Sequence, residues 1–169
     1  MLCFDLRSLE ARAESVDATL AGDDPVWETD DTRPADAGVH VSGRLSGAGH
    51  GRFYFSGRFE GAAQTQCRRC LIDVTSPVSD EVQLLFVESG LDDAEEDDVI
   101  LIPANVRELD LRPALREEWL IAVPGFALCR DDCKGLCPSC GADRNTGECT
   151  CPPPSDPRWE ALRTLRSEP

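Results

Sequence analysis

Residues 39–60, VHVSGRLSGAGHGRFYFSGRFE, decide the fold. Val39, Val41, Gly43 and Leu45 alternate with His40, Ser42, Arg44 and Ser46. Phe53, Phe55, Gly57 and Phe59 alternate with Arg52, Tyr54, Ser56 and Arg58. Successive strand side chains point to opposite faces, so period two over both stretches predicts two strands with one buried face. The glycine-containing SGAGHG between them makes the pair a β-hairpin. Setting Leu45 opposite Phe53 puts Val41 opposite Gly57 and keeps the apolar sets on one side. The same register places Arg44 beside Tyr54 and His40 beside Arg58. From His40 to Cys70 the arginines are Arg44, Arg52, Arg58, Arg68 and Arg69, against the single acid Glu60. This basic stretch is either a solvated outer face or a contact surface for RNA or an acidic partner. Its glycines permit curvature, which leaves an open curved sheet and a barrel-like closure both available.

Working outward, Val74 through Val87 reads as a further strand with Val82, Leu84 and Phe86 on one face. Pro77 makes its beginning an edge or a bend. Asp92 to Asp98 follows, with six acids in seven positions, as a charged loop or a docking site for a basic protein. DLRPALREEWLIAVP predicts a helix over about 110–123, capped by Asp110 and stopped by Pro124 and Gly125. Leu111, Leu115, Trp119 and Val123 recur every four residues and pack on the sheet. Before the hairpin, Leu2, Phe4 and Leu6 alternate as in a short strand. SLEARAESV suggests a weak helix, and AGDDP and TDDTRPADAG read as loops. CPPPSDP is a stiff connector to a short terminal helix at PRWEALRTL. The fold class is α+β, an antiparallel sheet with one packed helix and a cysteine-rich tail. The division is a β-rich domain over 1–128, a cysteine module over 129–151, and a connector with a terminal helix over 152–169.

The formal charge of −15 bears on function. Nucleic-acid binders gain affinity by neutralising phosphates, so this chain as a whole is repelled by RNA and by anionic membranes. Any nucleic-acid role needs a local patch or a basic protein partner. No run approaches the roughly 18 apolar residues that span a bilayer, and MLCFDLRSLEARAE has no apolar signal core. The expectation is a cytoplasmic protein without membrane contact, in a compartment that keeps thiols reduced.

Cys3, Cys67, Cys70, Cys129, Cys133, Cys137, Cys140, Cys149 and Cys151 are the nine cysteines. Apart from Cys3 they form four close pairs. Structural zinc takes four ligands, often all thiolate, with short gaps within a pair. Eight thiols therefore fit two structural zinc sites, or one if two of the pairs stay unbound or shared. The expected sets are Cys137, Cys140, Cys149 and Cys151, and Cys67, Cys70, Cys129 and Cys133; a competing partition joins Cys129 and Cys133 to Cys137 and Cys140. In LCPSCG the glycine lets backbone amides point at the sulfurs, and Asn145 and Gly147 supply the return turn. Arg68, Arg69, Arg130 and Lys134 can offset thiolate charge, though Asp131 and Asp132 oppose this. Disulfides and iron–sulfur ligation stay open as weaker readings. A catalytic zinc needs an open position, usually with histidine or carboxylate ligands. The two histidines, His40 and His50, both lie in the hairpin. CRRC as a redox pair lacks the strand-then-helix setting of thioredoxin-like motifs. No catalytic residues are assigned, and a non-enzymatic binding protein is expected.

CRRC after a β-rich stretch, an acidic loop, the DLRPALREEWLIAVP helix, LCRDDCKGLCPSCG, a CxC and a final DPRWEALRTL together resemble the YceD-like family, proteins associated with accumulation of large-subunit (23S) ribosomal RNA. The resemblance spans about residues 38–166 and is most specific from Asp110 to Cys151. It implies a non-enzymatic role in large-ribosomal-subunit biogenesis, with ribosomal RNA or a basic ribosomal protein as partner. The other classes are a zinc-dependent adaptor outside the ribosome and a thiol redox enzyme. The oligomeric state is not legible.

Overall fold

The computed structural model describes residues 2–27, 33–91, 99–104, 106–147, 149–152 and 158. The acidic run Asp92–Asp98 and the expected terminal helix, apart from residue 158, lie outside them. The chain divides into two compact units, one of residues 1–65 and 74–127, the other of residues 66–73 and 128–169.

In the first unit the elements run β1 (Cys3–Asp5), α1 (Leu6–Ala11), β2 (Glu14–Leu20), a 3-10 turn (Pro25–Trp27), β3 (Pro34–Gly47), β4 (Arg52–Gln66), β5 (Asp73–Glu88), β6 (Val99–Ile102), β7 (Glu108–Asp110) and α2 (Arg112–Ala122). Five strands form an open sheet in the order β2-β3-β4-β5-β6, and β1 pairs with β7 in a separate ribbon. The sheet does not close into a barrel, and β6 runs parallel to β5, so it is not wholly antiparallel either. β2 was not anticipated. α1 ends at Ala11, earlier than SLEARAESV suggested, because Val16, Ala18 and Leu20 keep strand period and pair with Gly43, Val41 and Val39. The loop expected at PADAG is instead the start of β3.

β3 and β4 form the expected hairpin, two residues out of the expected register. Leu45 faces Phe55, Gly43 faces Gly57 and Val41 faces Phe59. A slip of two preserves which face each side chain occupies, so periodicity alone could not choose between the registers. The tip chooses. The Ala48 amide donates to the Arg52 carbonyl at 2.8 Å, which confines the loop to Gly49–Gly51. Gly49 (φ 122°) and Gly51 (φ 64°) hold conformations that L side chains avoid, and this places the turn.

The inner faces of these strands, α1 and α2 share one apolar cluster. Leu111, Leu115 and Trp119 are buried, with Val123 packed against the cluster. Trp119 meets Trp27 edge-on at 6.1 Å between ring centroids and Phe59 at 6.0 Å. Pro77 sits where β5 has no partner on the β6 side among the described residues, since β6 pairs only with Leu85–Glu88. A missing amide is tolerated there.

Asp110 ends β7 and still serves the helix, because its Oδ1 accepts from the Arg112 amide at 3.0 Å. The Arg112 guanidinium binds the same carboxylate at 2.7 Å and reaches Asp24 at 3.3 Å. Partial burial works against the Asp110 charge, but the Arg112 contacts outweigh it and hold the carboxyl below its ordinary range. A depressed folded-state pKa gives stability that is present above the unfolded carboxylate pKa and lost as pH falls through the folded one. Replacing Arg112 with Met is expected to return Asp110 to the ordinary range or above it in an NMR titration. The same change should shrink the fall in stability on acidification below about pH 4.

Candidate metal centres

The second unit is built from two stretches far apart in sequence. Cys67–Cys70 lies in the turn between β4 and β5, and Cys137–Cys140 in the C-terminal segment. The two turns share one backbone pattern. The Leu71 amide donates to the Cys67 carbonyl at 2.9 Å, as the Gly141 amide does to Cys137 at 2.8 Å. The Cys67 amide donates to the Ile72 carbonyl at 2.9 Å, as the Cys137 amide does to Ala142 at 2.8 Å. The residue after the second cysteine is left-handed in both, with φ 61° at Leu71 and 73° at Gly141.

Leucine in that conformation costs roughly 1–2 kcal/mol, and Leu71 is 57% exposed, so little packing offsets the cost. Leu71→Gly is expected to fold normally with thermal stability equal to or above the parent. Leu71→Ile, whose branched Cβ fits the left-handed region worse, should be less stable than the parent. Paired thermal melts of the two variants check this.

The turns aim amides at the first sulfur of each pair. The Cys70 amide leads those that lower the Cys67 thiol to about 6, against burial. The Cys140 and Ser139 amides lower Cys137 to about 6. Burial and the neighbouring sulfurs push Cys129 up to about 12. The Cys140 sulfur, followed by burial, pushes Cys151 up to about 12. Each group thus mixes easily ionised and resistant thiols, because four thiolates at this spacing repel one another. A bound dication removes that conflict and lets all four deprotonate.

The eight sulfurs gather into two groups. Cys67, Cys70, Cys129 and Cys133 form one, Cys137, Cys140, Cys149 and Cys151 the other, with the sulfurs of each within 4.8 Å of one another. The competing grouping of Cys129 and Cys133 with Cys137 and Cys140 is not the one formed. Cys67 Sγ lies 3.8 Å from Cys133 Sγ, and Cys70 Sγ 3.6 Å from Cys129 Sγ. The edge of a tetrahedron with metal–sulfur bonds of about 2.3 Å is about 3.8 Å, so the donor set fits a single four-coordinate ion. Cys3 stands apart, in β1.

Two side chains around the first group have structural duties. Arg69 Nη1 donates to the Cys133 carbonyl at 2.8 Å and the Asp131 carbonyl at 3.4 Å, tying the CRRC turn to the Cys129–Cys133 loop. Arg130 forms an exposed pair with Asp132 at 3.4 Å. The unforeseen residue is Asn145. It lies between the two cysteine pairs of the second group, yet its Nδ2 reaches Cys133 Sγ of the first at 3.5 Å. Its Oδ1 accepts from the Lys134 amide at 2.8 Å, and Asp143 Oδ1 receives both its backbone amide (2.8 Å) and its Nδ2 (2.7 Å). In sequence Asn145 reads only as a turn residue; a donor aimed at a remote sulfur leaves no spacing signal.

On the sheet, Arg44 faces Ser56 and Arg58 faces Ser42. The observed register therefore makes Arg44 and Arg58 diagonal neighbours, roughly 7–8 Å apart at Cα by the geometry of antiparallel pairs. Both are exposed, and Arg58 pairs with Glu60 at 3.4 Å. Arg52 begins β4 at the hairpin tip, half-buried. Arg68 and Arg69 belong to the other unit, in the CRRC turn. No helix among the described residues is long and apolar enough to cross a membrane.

The model of the family described as "Large ribosomal RNA subunit accumulation protein YceD" matches residues 55–166. The chain is 29% identical over 180 residues to the chloroplastic "Large ribosomal RNA subunit accumulation protein YCED homolog 1" of Zea mays, covering 88% of this chain and 59% of that protein. An uncharacterised Mycobacterium tuberculosis protein is 31% identical over 103 residues, covering 57% of this chain and 47% of its own length. The chain thus spans about half the length of the curated relatives it matches. No solved structure matches. With the family match running from early in β4 through both cysteine groups, the chain belongs to the YceD family.

Proposed function

We propose that this chain is a non-enzymatic, zinc-stabilised factor in large-ribosomal-subunit biogenesis, supporting accumulation of its rRNA. The carrying observation is membership of a family described by large-subunit rRNA accumulation, over the residues that hold both four-sulfur groups. All-thiolate tetrahedral sets suit zinc, and four protein donors leave no open position for substrate, which favours structural ions at both groups. The reading places the action in a reducing compartment, cytoplasmic or, as for the maize relative, chloroplastic.

The charge of −15 favours contact through a basic ribosomal protein, held by acidic segments such as Asp92–Asp98 and released onto RNA. A second reading, direct RNA contact, is favoured by the diagonal Arg44 and Arg58 on the outer face of β3 and β4. Crosslinking tagged protein in its native cells, sedimenting the lysate and sequencing attached RNA tests the role. Large-subunit rRNA in pre-ribosomal fractions is the expected result; slow sedimentation without rRNA or free ribosomal protein overturns it. Charge reversal at Arg44 and Arg58 that abolishes the crosslinks selects the RNA reading. Loss of a protein partner on neutralising Asp92–Asp98 selects the protein reading.

A further inference from the structure

The two four-sulfur groups are joined by a side chain, and this joint predicts how they fill. We propose that Asn145 couples the two metal sites, so that an ion held by Cys137, Cys140, Cys149 and Cys151 raises the affinity of the Cys67, Cys70, Cys129 and Cys133 site. The proposal rests on reading both groups as metal sites.

Asn145 is carried on the segment that leaves Cys140 and returns to Cys149. Ligation of both cysteine pairs closes that segment into a short loop. Beyond its own internal contacts, the segment is held by the Gly141 amide to the Cys137 carbonyl, the Cys137 amide to the Ala142 carbonyl, the Arg144 amide to the Gly135 carbonyl, the Lys134 amide to Asn145 Oδ1 and the isolated pairing of Leu136 with Asp143. An ion in this second site would add a covalent-strength closure to these bonds. The closed loop presents Asn145 in one pose, because Asp143 Oδ1 fixes both its backbone amide and its Nδ2.

In that pose the same amide group does two things for the first site. Nδ2 donates to the sulfur of Cys133, and Oδ1 takes the amide of Lys134, the residue following that ligand. A donor to a ligating thiolate spreads its charge and fixes its direction, and such outer partners typically tune metal affinity about 10- to 100-fold. Coupling of binding energies is reciprocal, so filling the first site also tightens the second.

Cobalt(II), whose sulfur-to-metal bands report thiolate ligation, is titrated into the full-length chain, with chelator competition to obtain the affinity of each site. Two ions per wild-type chain are expected; none would sink the underlying metal reading and not the coupling alone. Disabling the second site with Cys149→Ser and Cys151→Ser should weaken the first by about 10- to 100-fold. Asn145→Ala, with both sites intact, should weaken the first site by a similar factor and shift its cobalt bands. The second site should lose only the reciprocal coupling and keep its own bands. In the Asn145→Ala background the two serine substitutions should cost the first site nothing further, the signature of one shared route in a double-mutant cycle. A wild-type chain that binds two ions, with unchanged first-site affinity in the serine variant, overturns the coupling. A full additional loss on top of Asn145→Ala overturns the assignment to Asn145. Should the serine variant fail to fold, Asn145→Ala alone decides through whether the cobalt bands of the first site move.

Discussion

On the proposed metal reading, a strong chelator is expected to unfold residues 66–73 and 128–152 of the purified chain while the five-stranded sheet keeps its hydrogen-exchange protection. The apolar cluster explains the asymmetry, since every residue in it belongs to the first unit. In the second unit the buried apolar side chains among the described residues are Cys67, Cys70, Cys133 and Cys137. Its interior is sulfur. With no aliphatic core among the described residues of this unit to offset the entropy of ordering, the proposed metal ligation is what would hold it, at roughly 10–16 kcal/mol per structural zinc in small modules. Acid should act like the chelator. Thiols must lose their protons to bind the ion, so affinity falls as pH drops and protons compete for the sulfurs. Titrating released metal with a colorimetric indicator, against amide exchange in both units, checks both statements. Equal loss of protection in the two units would contradict the division of labour.

Trp119→Ala is expected to cost the first unit roughly 3–5 kcal/mol, the range for deleting a large buried aromatic. The ring is fully buried among Trp27, Phe59 and Gly61. A Cβ on Gly61 would lie 3.1 Å from the indole, so the absent side chain of β4 makes the seat for this ring. α2 is short, 11 residues, and helices of that length draw most of their stability from tertiary packing. Removing its anchor should therefore loosen the whole helix. Urea denaturation followed by circular dichroism measures the loss as a lower midpoint. Trp119→Phe, which keeps an aromatic body, should fall between parent and alanine.

The hairpin and the helix were legible because each buries one face, and burial writes a period into the sequence. Register was not. The Leu45–Phe53 and Leu45–Phe55 pairings bury the same side chains, and the choice lies in two left-handed glycines at the tip. β6 escaped for a different reason, since VILI is too short to separate a strand from a helical run by period. Its parallel pairing depends on topology that no local pattern carries. At the candidate site, the paired spacing of the cysteines made two four-ligand sets readable. The outer contacts from Asn145 and Arg69 come from fold-level proximity between segments more than 50 residues apart in the case of Arg69 and Cys133, and no spacing rule reaches that far.

The two four-sulfur groups also differ in when they can exist. The second spans only Cys137 to Cys151, and it is complete once that short stretch has been made. The first waits for Cys129 and Cys133, about 60 residues after Cys70, which at ~5–20 residues per second is roughly 3–12 s of synthesis. During that interval the nascent chain carries a shaped CRRC turn with half a coordination sphere, and its thiols are open to oxidation or to a stray ion. All four donors of the first group have nevertheless been made before Cys137 is reached, so the set gathered across the greater sequence distance is supplied before the local one begins.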